Sequence, residues 1–185
     1  MKYIKIYKTS ILDGPGCRVA LYVSGCRNHC EGCHNPQSWS FEFGKLFTKD
    51  TATEILELLS RPYISGLSFV GGEPMEEENQ VELFRLAKLA KHLYPEKTIW
   101  CWTGYEWRDL LKGGKKHTKY TDELLSMIDV LVVGRYEKSL RDITDDNRWR
   151  GSTNQRVIDV AKSLKKRKAV PLSGIPNNDG DNVRA

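Results

Sequence analysis

Apolar residues in this chain gather in short runs, separated by longer stretches where they recur every three or four positions. Residues 3–7 and 18–23 read as strands, and a glycine- and cysteine-rich loop follows over residues 24–40. The threonine-rich entry at residues 48–53 predicts a helix capped by Thr51 or Thr53. That helix runs through Ile55, Leu56, Leu58 and Leu59, and Pro62 stops it. Leu67-Ser68-Phe69-Val70 is a short apolar run entering Gly71-Gly72, the pattern of a buried strand leading into a tight loop. Residues 76–94 place Val81, Phe84, Leu86, Leu89 and Leu93 at helical spacing, with Pro95 as the stop. Residues 98–103 are strand-formers closed by Gly104, residues 107–127 form a broken helical region, and residues 128–133 are the clearest buried strand. Residues 156–160 predict a last short strand.

Strands alternating with helices imply an α/β protein with a parallel sheet, and fully apolar strands imply that both its faces are covered. Loops, and so a site, are expected at the carboxyl ends of the strands. After Pro171 the composition shifts to Ser, Gly, Pro, Asn and Asp. The expected organisation is one domain over residues 1–170 and a flexible tail over 171–185.

The length of 185 residues fits that single domain. A mean hydropathy of -0.52, 29% charged residues and a lysine-rich start lacking an apolar stretch lead to an expected cytoplasmic location, with no membrane partner. Much of the net charge of +5 lies in Lys162, Lys165, Lys166, Arg167 and Lys168, read as a solvated face or tail. No nucleic-acid partner is expected, because no fuller basic surface or binding module appears.

Five cysteines are an odd number, and three of them crowd into Cys26-x3-Cys30-x2-Cys33. In a reducing compartment such crowding reads as metal ligation rather than as a disulfide framework. Thiolates suit iron–sulfur clusters or zinc. One reading is a [4Fe-4S] cluster held at three irons, the fourth left open to another molecule. The other is a zinc site completed by His29 or His34. The cluster is favoured, because all the ligands fall in one loop and His34 directly follows Cys33. Neither Cys17 nor Cys101 offers a local fourth ligand.

Cys26-Arg27-Asn28-His29-Cys30-Glu31-Gly32-Cys33 resembles the C-x3-C-x2-C motif of the radical S-adenosylmethionine superfamily. The resemblance implies that Cys26, Cys30 and Cys33 bind a [4Fe-4S] cluster and that S-adenosyl-L-methionine chelates its fourth iron. Many members carry an aromatic residue where this chain has Gly32, so the adenine contact is expected from backbone around Gly32, Cys33 and His34. Gly71-Gly72-Glu73-Pro74 is similar to the GGEP motif of the same superfamily, which implies a hold on the methionyl ammonium group. The implied fold is a partial (β/α) barrel with a mainly parallel sheet. Thr103-Gly104-Tyr105 and Val133-Gly134-Arg135 end later strands, either as further cofactor contacts or as ordinary turns.

Asp13-Gly14-Pro15-Gly16-Cys17-Arg18, with Cys33-His34-Asn35-Pro36 and Trp39, looks like the activating enzymes of glycyl-radical enzymes. Arg150-Gly151-Ser152-Thr153-Asn154-Gln155-Arg156, preceded by Gly134-Arg135-Tyr136, resembles the subgroup that activates anaerobic ribonucleoside-triphosphate reductase; read alone, it is a polar surface loop. The resemblance spans roughly residues 1–160. It implies reductive cleavage of S-adenosylmethionine and hydrogen abstraction from a glycine of that reductase, with a flavodoxin-like electron donor and no catalytic side chain beyond the cofactor ligands. Trp39, Trp102 and Tyr105 belong either to a partner-facing surface or to the core. The alternatives are a pyruvate formate-lyase-type activator, a small-molecule enzyme of the deazaguanine synthase type, and a zinc-stabilised interaction module without catalysis.

Overall fold

The link between the first two strands, β1 (Lys2–Ser10) and β2 (Cys17–Val23), is too short for a crossover, so the strands pair antiparallel. A short strand β3 (Lys45–Leu46) adds to the outer edge of β1, also antiparallel. From there the chain alternates as expected: α1 (Lys49–Leu59), β4 (Ile64–Gly71), α2 (Glu77–Leu93), β5 (Thr98–Trp102), the short α3 (Trp107–Leu110), α4 (Thr121–Met127) and β6 (Val130–Val133). It closes with β7 (Arg156–Asp159) and α5 (Val160–Lys166). This computed structural model describes residues 1–144 and 148–175.

The result is a mixed α/β fold on one seven-stranded sheet, ordered β3-β1-β2-β4-β5-β6-β7. The ladders β2–β4, β4–β5 and β5–β6 are parallel, each reached through helix. The expectation of a mainly parallel sheet is corrected at both flanks, where β1, β3 and β7 run antiparallel. Among the described residues, the connection from β6 to β7 carries a 3-10 turn, Lys138–Leu140, and no crossover helix, and the chain returns beside the strand it left. The sheet stays open, with β3 and β7 as its edges.

Strand side chains alternate between faces. Val19, Leu21, Val23, Leu67, Phe69, Ile99, Cys101, Leu131 and Val133 meet residues from α1 through α5 in the main core. On the opposite face Trp100, Val130, Val132 and Val157 form a second cluster, covered by Trp149, Leu172 and Ile175 instead of helices. Pro171 forms an antiparallel bridge with Ile158, and Leu172 N–H donates to the Val157 carbonyl at 2.9 Å. These contacts lie within the segment expected to be a tail; residues 176–185 lie outside the described residues.

The cap of α1 is Thr48, earlier than expected. Its hydroxyl accepts from Thr51 N–H while Thr51 returns a bond to the Thr48 amide, closing a capping box. The basic run lies on α5 and just beyond it, and Lys162, Lys165, Lys166, Arg167 and Lys168 are exposed there. Lys165 and Lys166 fall in the last turn, where cations suit the helix dipole. Among the described residues, no helix is long and apolar enough to cross a membrane.

Candidate functional site

The cysteine loop leaves the carboxyl end of β2 and is tied at once to its surroundings. Gly25 N–H donates to Ser38 O at 2.8 Å and Cys26 N–H to Trp39 O at 3.1 Å, so the loop returns against its own entry. Cys33 N–H closes a turn onto Cys30 O at 3.2 Å, and Gly32 takes a positive φ of 71° there. Cys26, Cys30 and Cys33 are all free thiols, Cys26 buried and the other two half-buried. Burial, chiefly, pushes the Cys26 thiol up to about 12, and the nearby Glu73 carboxylate adds to this. Cys101 is completely buried on the helix side of β5, among core residues, and burial raises its thiol well above the ordinary range.

The turn Gly71-Gly72-Glu73-Pro74 at the end of β4 lies directly against this loop. Gly72 N–H donates to Val23 O at 2.7 Å, and Glu73 N–H to Gly25 O at 2.9 Å. The approach leaves no room for side chains. A Cβ on Gly71, whose φ is +104°, would stand 2.6 Å from the Val23 backbone, and one on Gly72 would stand 2.7 Å from Gly25 O. Gly72→Ala is therefore expected to push the two segments apart. The measurable result is a protein that loses at least half of its reconstituted iron; an unchanged iron content would contradict this account of the contact.

Glu73 is fully buried, and burial pushes its carboxyl up to about 7. Its oxygens accept from Met75 N–H at 2.9 Å, Asn28 Nδ2 at 2.9 Å and Gly104 N–H at 2.7 Å. These donors, and the Thr103 hydroxyl that joins them, are neutral, so among the described residues the buried carboxyl meets no ion-paired cation, which suits an ammonium ligand. Asn28 thus joins the cysteine loop to Glu73, and its carbonyl accepts from Arg135 Nη2 at 2.6 Å. The strand ends at Thr103-Gly104-Tyr105 and Val133-Gly134-Arg135 both reach this cluster of contacts, the first through Gly104 and the second through Arg135.

Tyr105 lies in the core, with its hydroxyl donating to Glu76 Oε1 at 2.6 Å. Trp102 is half-buried on the face away from the helices, its indole N–H bonded to Trp149 O at 2.6 Å. Trp39 is half-buried and stacks on His29, ring centroids 4.7 Å apart. Gly32 and His34 are exposed. Gly32 abuts Lys138, and His34 meets Tyr136 edge-on at 6.4 Å. Pro74 is buried behind Glu73.

The polar loop from Arg150 to Arg156 is not simply solvated. Arg150, Ser152 and Gln155 are buried. The Gln155 side chain accepts from Gly151 and Ser152 N–H and donates to Gly134 O at 2.7 Å, while Arg156 pairs with Glu106 at 2.9 Å. The loop braces the ends of β6 and β7 beside Arg135.

Sequence reading passed over Glu76, Asn79 and Gln80, all buried on α2 or at its start. Asn79 Nδ2 bridges Ser24 O at 3.0 Å and Glu73 O at 2.9 Å. The available signal was spacing: Glu76, Asn79 and Gln80 continue the face that buries Leu83 and Ala87. In a charge-rich run that spacing reads as a solvated helix start.

Among the described residues no three His, Cys, Asp or Glu side chains converge as a single metal ion requires. A cubane cluster spreads its ligands over separate corners, and three free thiols from one loop fit that demand. A family described as "4Fe-4S single cluster domain" matches residues 12–158. The chain is 41% identical over 157 residues to the anaerobic ribonucleoside-triphosphate reductase-activating protein of Enterobacteria phage T4, covering 85% of this chain and 93% of that protein.

This chain belongs to the family of anaerobic ribonucleoside-triphosphate reductase-activating proteins.

Members so named from Pasteurella multocida and Escherichia coli K12 are 38% and 35% identical, each covering at least 84% of this chain and 95% of the relative. The matched residues 12–158 include both the cysteine loop and the Gly71–Pro74 turn.

Proposed function

We propose that this protein activates anaerobic ribonucleoside-triphosphate reductase as a radical S-adenosylmethionine enzyme, with Cys26, Cys30 and Cys33 as ligands of its [4Fe-4S] cluster. The observation that carries the cofactor assignment is the junction of the two motifs. The Glu73 amide bonds the cysteine loop while its buried carboxylate meets only neutral donors. An ammonium group held there would sit beside the cysteine loop, as S-adenosylmethionine chelated to the open iron requires.

When bound, the cluster and S-adenosylmethionine would supply the radical chemistry that removes a hydrogen atom from a backbone glycine of the reductase, at the cost of one electron from a reduced donor and with release of methionine. The residues of this chain bind, orient and shield. Glu73, with Gly71, Gly72 and Pro74, orients the methionyl end, and backbone around Gly32, Cys33 and His34 faces the adenine. No side chain serves as general acid, base or nucleophile. We read the open sheet as a partial (β/α) barrel of the radical S-adenosylmethionine type, with a peptide of the reductase entering beside the loops at the carboxyl ends of its strands. A flavodoxin-like protein in the cytoplasm is the proposed electron donor.

The test is anaerobic: the reconstituted protein, reduced with S-adenosylmethionine, is mixed with the reductase and observed by electron paramagnetic resonance. A glycyl-radical doublet on the reductase is the expected result. Cofactor cleavage without that doublet would move the assignment to another substrate, and a colourless protein carrying one zinc would sink it.

A further inference from the structure

Glu76 belongs to neither motif, yet it stands between the cysteine loop and the rest of the molecule. It is fully buried, and each of its carboxylate oxygens accepts two hydrogen bonds. The first comes from the peptide N–H that directly follows Cys26: Arg27 N donates to Oε1 at 3.0 Å. The Tyr105 hydroxyl reaches the same oxygen at 2.6 Å. The Arg27 guanidinium and the Lys116 ammonium close on Oε2 at 2.8 and 2.7 Å. Lys116 also lies over the Tyr105 ring, 4.7 Å from its centroid. A carboxylate is retained in such burial only where donors replace its water, and here the donors come from three separate segments.

We infer that Glu76 is a positioning residue for the cysteine loop, fixing the peptide bond after Cys26 and holding two compensated cations against it. This rests on the reading of Cys26, Cys30 and Cys33 as cluster ligands. Residues behind metal ligands set both their orientation and the field they feel. Without the carboxylate, Arg27 would keep only Glu78 as an acidic partner, and Lys116 would face the Arg27 charge uncompensated. The loop would loosen at Arg27, and the net charge beside the cluster would rise by one unit. Added positive charge favours the reduced, more negative cluster, so its potential should become less negative. Removing the Lys116 charge should act in the opposite direction.

The experiment uses the full chain, reconstituted anaerobically with iron and sulfide. Wild-type protein that takes up no cluster would refute the ligand reading itself, independently of Glu76. Given a loaded wild type, Glu76→Gln, which keeps the side-chain shape, is expected to release iron to a chelator roughly tenfold faster. Its midpoint potential, followed by electron paramagnetic resonance, should be less negative than that of the wild type. Lys116→Gln, at a partly exposed position, should make the potential more negative. Opposite signs identify the charge effect, because simple loosening would move both variants the same way. Wild-type release rate and potential in Glu76→Gln would overturn the inference, and so would shifts of equal sign in the two variants. Should Glu76→Gln fail to fold, an unchanged potential in Lys116→Gln overturns it alone.

Discussion

Cys30→Ala is expected to emerge from anaerobic reconstitution colourless and inactive, whereas Cys101→Ala takes up the cluster as the wild type does. Cys30 is half-buried in the loop, and its carbonyl closes the turn that carries Cys33. With only three thiolates proposed to hold the cubane, losing one leaves two irons without protein ligands, and no other cysteine can replace it. Cys17 is at the opposite end of β2 from the loop, and Cys101 is enclosed by core residues on the helix side of the sheet. The absorbance of the reconstituted protein near the thiolate-to-iron charge-transfer region, with its iron content, reads the result directly. Retention of the cluster by Cys30→Ala, or its loss in Cys101→Ala, would show that the ligand set is wrong.

Arg18→Met is expected to lower stability by about 3 kcal/mol or more, since several buried acceptors lose their donor at about 1–3 kcal/mol each. Arg18 is completely buried in β2 on the face away from the helices. Its guanidinium donates to Ser68 Oγ, Leu67 O, Thr98 O and Thr98 Oγ1, each at 2.8 to 2.9 Å, and stacks under Trp100. Ser68 Oγ in turn donates to Asp13 O at 2.6 Å, so the arginine pins the Asp13–Gly16 turn onto three strands. Methionine fills much of the volume but satisfies none of the four acceptors. A fall in melting temperature of roughly 10 °C follows for a chain of this size. A fall of under about 2 °C would mean that solvent reaches the stranded groups, contrary to the burial seen here.

The same two positions mark how far the sequence could be read. The spacing of Cys26, Cys30 and Cys33 is legible in one dimension, because three thiols on a short loop are brought together by the loop itself. The parallel middle of the sheet was legible for a similar reason: β4, β5 and β6 alternate with helical segments long enough to cross over. Its antiparallel flanks followed from the short β1–β2 link and from a β6–β7 connection whose described residues form no crossover helix, neither of which an apolar-run count registers. The cap of α1, read at Thr51 or Thr53, lies three or five residues earlier at Thr48, because the capping box depends on which threonine turns its hydroxyl inward.

Arg18 could not be read in this way. Within Asp13–Arg18 it resembles a family signature, and nothing local says that its guanidinium will cross beneath β4 to reach β5. Its partners lie 49 to 80 residues away. The loop from Arg150 to Arg156 was read alone as polar surface. It is a brace, since the Gln155 side chain finds its acceptor at Gly134, in another strand's end.

By itself, then, the sequence determined the crowding of three thiols on one loop, the order of the main strands and helices, and the two glycine-bearing turns at which backbone can approach backbone. These are properties of neighbours in the chain, carried by spacing, propensity and the absence of a side chain. Only the tertiary structure decided that Glu73 would be buried among neutral donors, and that Asn28, Gly104 and Arg135 would meet beside it. It also decided that Glu76 would gather Arg27, Lys116 and Tyr105 behind Cys26. Each of these depends on desolvation by elements distant in sequence, and whether a charged residue is buried or solvated cannot be read from its own position in the chain.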